Sequence, residues 1–298
     1  MASKTNNNPG QKSVMGVELS ETTIEWGKKI GFHTMLWSSI FVILLPVLWM
    51  IVVSLNQVAF DVFLTSPGAW LQGVSLEAYE RVLYETDFPI WFKNSVLVTV
   101  GSTAISILVC TFGAYSIGRL RFKGRKAVAT FLLITQMFPL ILVAVPLFLI
   151  FRDIGLFNTL IGLTIAYVAF VLPFSIWMLR GFYENLPESL EEAAMIDGST
   201  RFGAVLRVIV PLSAPAIATT AIFAWIFAWN EFVMALILLN DSSKTTIPPG
   251  IGSWVGQYTL QWDLMMAGAL GATLPLLFIL FFLQKYIING LAEGAVKS

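Results

Sequence analysis

Charge, histidine and cysteine are all scarce in this chain. Only 12% of its 298 residues are Asp, Glu, Lys or Arg, where a soluble domain carries about a quarter. Lys and Arg number 18 and Asp and Glu 18, so net charge offers no footing for binding nucleic acid. Cys110 is the single cysteine and lies in an apolar run. An intrachain disulfide is therefore excluded, and redox compartment cannot be read from cysteine usage. The one histidine, His33, falls at the edge of an apolar run and reads as an interfacial anchor. The phosphate-loop pattern G-x-x-x-x-G-K-[ST] is missing, as are H-E-x-x-H, G-x-S-x-G and any Cys/His cluster. Catalytic, cofactor-binding and metal-ligating residues are therefore not expected, and any ATP-driven step needs its ATP and Mg on another chain.

What fills the space is apolar. Hydrophobic residues make up 57% of the chain and the mean hydropathy is +0.78, so most of the surface must be solvated by lipid. Six apolar runs stand out, at 32–55, 95–117, 127–151, 160–179, 212–239 and 265–288. Each has about the 20 residues that cross a bilayer core. The first is too long for a signal-peptide core and lacks a small-residue cleavage pattern behind it, which predicts a retained helix. The fifth runs for 28 residues, about 42 Å as a helix, against a core of about 30 Å. It must tilt, bend near Pro215 or protrude. The expectation is an all-α membrane protein with six transmembrane helices: a tail at 1–30, a spanning domain at 31–290 and a second tail at 291–298. Residues 1–27 lack apolar periodicity and are expected to be mostly disordered, with room for a short interfacial helix at 17–29.

Basic residues orient the spans. Lys4, Lys12, Lys28, Lys29, Arg119, Arg121, Lys123, Arg125, Lys126, Arg180, Arg201, Arg207, Lys285 and Lys297 fall on one side; Arg81, Lys93, Arg152 and Lys244 fall on the other. The richer side is expected to be cytoplasmic, with both termini there and the loop at 180–211 facing the cytosol. On the other side, 75–84 (SLEAYERVLY) has the pattern of a short amphipathic helix, capping the bundle or meeting an external partner. The loop at 240–264, with Pro248, Pro249, Gly250 and Gly252, is turn-rich.

Away from the ends of the apolar runs, where His33 and Lys285 fall, the one charged group is Glu231, beside Asn230 in the fifth. A carboxyl at membrane depth costs about 2.5–3.5 kcal/mol on insertion scales, so it calls for a purpose: a watery pathway or a helix-to-helix hydrogen bond. Trp225, Trp229 and Tyr167, with Phe170 and Trp177, supply aromatic faces that suit sugar rings, or packing and belt positions equally. Gln136, ahead of Met137-Phe138-Pro139, is a further polar candidate. Prolines 139, 146, 173, 215 and 275 mark places where helices can kink.

The loop at 180–211 is patterned too tightly for filler. Asn185 and Glu188, with Pro187 between them, suggest a helix start with a capping box. Leu190, Ala193, Ala194 and Ile196 give that helix a small apolar face, opposite Glu188, Glu191 and Glu192. Gly198 is placed to end it, and a second short helix fits between Ser199 and Pro211. The order Glu192-Ala193-Ala194, three residues, Gly198, nine residues, Val208-Ile209-Val210-Pro211 resembles the EAA loop of ABC-type importer permeases. That pattern reads EAA, three residues, G, nine residues, I-x-L-P; Val208 and Val210 are its departures here.

The resemblance implies the type I ABC importer fold, with the loop as a cytoplasmic coupling helix seated on an ATPase. Glu188, Leu190, Glu191, Glu192, Ala193, Ala194, Ile196, Asp197, Gly198 and Pro211 would form it, with the two alanines allowing close docking and Glu192 meeting a basic group. It also implies a second permease, two ATPase subunits, an extracytoplasmic solute-binding protein and a place in the bacterial inner membrane. The WNEF stretch at 229–232, the GRLRFKG loop at 118–124, Gln136-Met137-Phe138-Pro139 and the tail resemble the carbohydrate branch, notably the second permease of maltose/maltodextrin transporters. In that relative the tail reaches between the ATPases. A di- or oligosaccharide cargo is the implied function. Glycerol 3-phosphate or another polyol is the alternative, less favoured because the six runs hold no Lys or Arg apart from Lys285 near the end of the sixth. An ion-coupled carrier or channel is the remaining class, and such carriers usually bury several ionisable groups where this chain has one away from the run ends.

Overall fold

The computed structural model describes residues 11–14, 17–56, 74–256 and 261–295. Gln11–Val14 (β1) and Val17–Ser20 (β2) pair antiparallel, with Lys12 opposite Leu19. The sequence leaves room for a short helix over 17–29 in an otherwise disordered stretch. Only the part from Glu21 is helical, because Val17-Glu18-Leu19-Ser20 alternates apolar and polar at the period of a strand.

The helices follow in order: α1 Glu21–Ser54, α2 Glu77–Tyr84, α3 Phe88–Arg119, α4 Arg125–Thr135, α5 Leu140–Asp153, α6 Leu160–Asn185 and α7 Ser189–Ile196. Then come α8 Arg201–Leu212, α9 Ala214–Asn230, α10 Val233–Leu238, α11 Ile247–Gly252 and α12 Trp262–Ala295. Four of them, α1, α3, α6 and α12, contain stretches long and apolar enough to cross a membrane, beginning at Glu25, Phe88, Leu160 and Trp262. Two bent pairs, α4 with α5 and α8 with α9, raise that to six if each pair is one span. The tail expected to begin at 291 is helical in α12 as far as Ala295, and residues 296–298 lie outside the described residues.

The bundle is built on α3 and α6, which lie parallel. Gly101 faces Thr164, Gly113 faces Ile176 and Gly118 faces Arg180, a nearly constant offset along both chains. Buried Ser95, Thr99, Ser102, Ser106, Cys110, Ala114 and Gly118 recur every three or four residues on α3. Such a stripe lets two backbones approach closely where hydrophobic association is weak. α9 packs against α3, α6 and α12, while α1 packs chiefly on α12. Trp26, Phe32, Trp37 and Phe41 of α1 are exposed, as suits a helix facing lipid.

Two apolar runs expected as single helices are broken. The run 127–151 turns by 99° between α4 and α5, at the sequence Gln136-Met137-Phe138-Pro139. Proline has no N–H to give the preceding turn and its ring crowds the carbonyl four residues back, so α4 stops at Thr135. The run 212–239 bends by 77° at Ser213 and breaks again at Glu231 and Phe232. Its excess length is taken up by these breaks, since α9 alone is 17 residues, about 26 Å. Pro146, Pro173 and Pro275 sit inside unbroken helices.

At the Phe88 end of α3, short elements close the bundle. Asn94 donates to the carbonyls of Ser243 (3.0 Å) and Thr245 (2.9 Å), and Ser95 accepts from the N–H of Ile247 at 2.8 Å. Asn158, at φ 55, accepts from the N–H groups of Asn240 and Asp241 through its side-chain oxygen. The turn-rich stretch thus contains a fixed helix, α11, seated on Trp91. Gly250 lies so close that a Cβ there would fall on the indole ring. Gly250→Ala is therefore expected to cost about 1–3 kcal/mol by overpacking, read as a lowered melting temperature in detergent. A variant as stable as the parent would mean that α11 is free to lift.

α2 forms over Glu77–Tyr84 and buries Ala78 and Val82, close to its expected bounds. It rests on α12, where Arg81 meets Asp263 at 3.0 Å, and Tyr79 meets Ser54 at the end of α1 at 2.7 Å. Those contacts are the capping arrangement. The ion pair is half-buried, so Arg81→Ala should lower stability by only about 1 kcal/mol or less, with the loss shrinking in high salt. An effect that is large or indifferent to salt would point to a role beyond this pair. In the neighbouring loop, the Ser243 hydroxyl and N–H both donate to Asp241 and hold its carboxyl below the ordinary value. That contribution is present above the usual carboxylate range and is lost as pH falls through it.

Candidate functional site

The loop at 180–211 stands at the far end of α3 from α2 and α11, with most of 184–203 at the surface and Tyr183, Val205 and Ile209 packed into the bundle. α6 continues to Asn185, whose side chain donates back to Gly181 O at 2.7 Å. Asn185 is therefore the end of one helix, not the cap of the next. Leu186 precedes Pro187 and is pushed into extended geometry, φ −73 and ψ 140. α7 then starts at Ser189 with Glu188 at its cap and no side-chain cap bond. Its far end is a complete glycine stop. The Ser199 N–H donates to Ala194 O (3.0 Å), the Gly198 N–H donates to Met195 O (3.1 Å), and Gly198 sits at φ +87.

On α7 itself, Leu190, Ala193 and Ile196 are exposed, Ile196 by 86%. Glu188, Glu192 and Asp197 are exposed around them, and Ala194 is half-buried. Glu191 differs from expectation. It does not share the wet face: it is the buried residue of α7, 9% exposed, and its carboxylate accepts the Tyr115 hydroxyl of α3. Arg201, opening α8, approaches the same carboxylate oxygen at 3.8 Å. The helix turns Glu191 inward because it lies about 100° from each neighbour.

Around this end, Arg119 donates to Pro187 O at 3.4 Å and Arg121 faces Glu188 at 3.6 Å. Arg119, Arg121, Glu188, Glu191, Glu192 and Arg201 border an open cavity of about 430 Å³. Thr200 caps α8 by accepting from the Gly203 N–H at 3.1 Å. A π turn at Val205–Ile209 then points both Val205 and Ile209 into the core. That core also holds Tyr115, Leu179 and Tyr183. Pro211, at the end of the patterned stretch, is exposed just before the 77° bend. Tyr115 and Arg201 were not among the candidates. A phenol late in an apolar run was the sole sequence sign of the first, and Arg201 counted only toward orientation.

The membrane-depth candidates fall in separate places. Both carboxylate oxygens of Glu231 accept from the Met234 N–H, at 2.9 and 3.1 Å, and one accepts from the Ala235 N–H at 3.2 Å. They serve the first turn of α10 inside the same chain. Tyr167, fully buried, donates its hydroxyl to the Glu231 carbonyl at 3.3 Å. Trp225 and Trp229 stack with centroids 6.0 Å apart, and Trp229 donates to Ala272 O at 3.0 Å. Asn230 is exposed and its amide returns to Ile226 O at 2.8 Å. Gln136, exposed at the α4–α5 break, donates to Phe170 O at 3.0 Å. Among the described residues no group of His, Cys, Asp and Glu is placed to hold a metal ion.

Comparison with known proteins bears on this geometry. Residues 110–293 match the family described as binding-protein-dependent transport system inner membrane component. The trehalose/maltose permease protein MalG of Thermococcus litoralis is 38% identical over 258 residues, 86% of this chain and 92% of that one. The diacetylchitobiose permease protein DasC of Streptomyces coelicolor is 32% identical over 85% of this chain and 91% of that one. The trehalose permease protein SugB of Mycobacterium tuberculosis is 35% identical, covering 86% and 93%. In structure, a chain of a bacterial ABC transporter that imports the acidic polysaccharide alginate superposes with a TM-score of 0.76 at 23% identity, over 90% of this chain and 98% of that one. Helices, bent spans and sequence agree: the chain belongs to the inner-membrane permease components of binding-protein-dependent ABC transporters.

Proposed function

We propose that this permease carries a neutral di- or oligosaccharide across the bacterial inner membrane. In this reading a solute-binding protein delivers the sugar outside and two ATPase subunits drive transport inside. A second, related permease completes the pathway, and ATP and Mg sit on the ATPases. The observation that carries this reading is α7, a short helix at the end of the bundle with Leu190, Ala193 and Ile196 uncovered along its length. This strip of small and apolar side chains suits a protein cleft, and Glu192 beside it suits a basic partner group. The orientation with both termini and α7 in the cytoplasm is supported by the basic residues of the loop at 119–126 and by Arg180, Arg201 and Arg207. The sugar class is supported by the similar trehalose/maltose, trehalose and diacetylchitobiose permeases.

Nothing is bonded or cleaved in this chain; closure of the ATPases would push α7 as a lever, and the spans would rock between two openings. Reconstitution in proteoliposomes with a solute-binding protein, a second permease and an ATPase of the same organism tests it. ATP-dependent uptake of maltose, trehalose or diacetylchitobiose is the expected result. Uptake of glycerol 3-phosphate alone would overturn the cargo, and uptake driven by an ion gradient without ATP would overturn the class.

A further inference from the structure

Three helices meet at a single carboxylate at the base of the exposed knuckle. Glu191 comes from α7, Tyr115 from the last turns of α3 and Arg201 from the first turn of α8. The Tyr115 ring is 6% exposed and belongs to the cluster containing Leu179, Val205 and Ile209, so it is anchored in the spanning bundle. The other polar ties of this knuckle are weaker. Arg121 and Glu188 are both exposed, and the Arg119 bond to Pro187 O is long at 3.4 Å. A buried hydrogen bond to a charged acceptor is stronger than either, and losing one partner strands the other away from water.

We infer that Glu191 and Tyr115 form the rivet through which movement of α7 is passed to α3 and α8. Glu191 is thus a positioning residue facing the bundle, distinct from Glu192 on the docking side. The inference rests on the proposed coupling role of α7. It explains why a helix of eight residues, too short to hold together alone, can act as a stiff part.

Tyr115→Phe keeps the ring in its cluster and removes only the hydroxyl. Glu191→Ala removes the acceptor, and Glu191→Gln keeps an oxygen able to accept from Tyr115. The complex is purified with its ATPase, reconstituted, and sugar uptake and ATP hydrolysis are counted together. In Tyr115→Phe and Glu191→Ala, the sugar carried per ATP is expected to fall by about fivefold, the scale of one net hydrogen bond. ATPase should stay bound, hydrolysis should continue, and Glu191→Gln should recover most of the ratio. Unchanged sugar per ATP in Tyr115→Phe would overturn the rivet. So would uptake lost only in proportion to folded protein, or loss of bound ATPase in Tyr115→Phe. If the parent chain itself retains no ATPase, it is the coupling reading that fails, and that is seen before any variant is made.

Discussion

Gly198→Val is expected to uncouple ATP hydrolysis from uptake while leaving the chain in the membrane. Gly198 sits at φ +87, and a Cβ there would meet nothing within 4 Å. The obstacle is therefore backbone conformation and not space. A β-branched residue in that region is strained by about 1–3 kcal/mol. The chain relieves the strain by abandoning the turn, and both bonds that end α7, to Ala194 O and Met195 O, go with it. α7 then loses its fixed angle to α8. A strain of that size corresponds to a shift of about fivefold to 150-fold in the population holding the native turn, and sugar per ATP should fall on that scale. Gly198→Asn is the control, because asparagine tolerates the left-handed region, and it should keep most of the transport. Normal uptake by the valine variant at normal membrane levels would remove Gly198 from the coupling role.

Glu231→Ala should act first on stability. Without the carboxylate, the N–H groups of Met234 and Ala235 have lost their side-chain acceptor. Each such group left unsatisfied in a buried setting costs about 1–3 kcal/mol. α10 packs against α5 and α6 in the core holding Tyr167, Met234 and Leu238, so its loosening spreads to those contacts. A lower melting temperature in detergent, with uptake falling alongside, is the expected outcome, and Glu231→Gln should be milder because its amide oxygen still accepts. If alanine removes uptake and leaves the melting temperature unmoved, Glu231 serves the pathway instead. The structure favours the capping role because both oxygens are occupied by backbone donors.

The difference between what was legible and what was not is clearest at Glu191. Read along the chain, it is one of three glutamates on a short helix, and nothing nearby in sequence distinguishes it from Glu188 or Glu192. Its partner, Tyr115, lies 76 positions away, and only the packing of α6 beside α3 brings α7 under that phenol. Asn185 failed for a related reason. Its spacing to Glu188 fits a capping box, but α6 runs on past the apolar stretch and takes Asn185 as its own last residue. Glu231 was singled out correctly as unusual, since hydropathy exposes any carboxyl in an apolar run. Its purpose was hidden because the break at 231–232 is invisible to periodicity.

Composition and local spacing were sufficient for residence in the membrane, the places of the apolar runs, the helix of small side chains at 189–196 and its glycine stop. Those features depend on neighbours within about two turns, so any window of the chain carries them. Which helices lie side by side, where two long runs break, and which glutamate turns inward were decided only by the assembled bundle. Each depends on surfaces far apart in sequence meeting at a few ångströms, and no stretch of the chain holds both halves of such a contact.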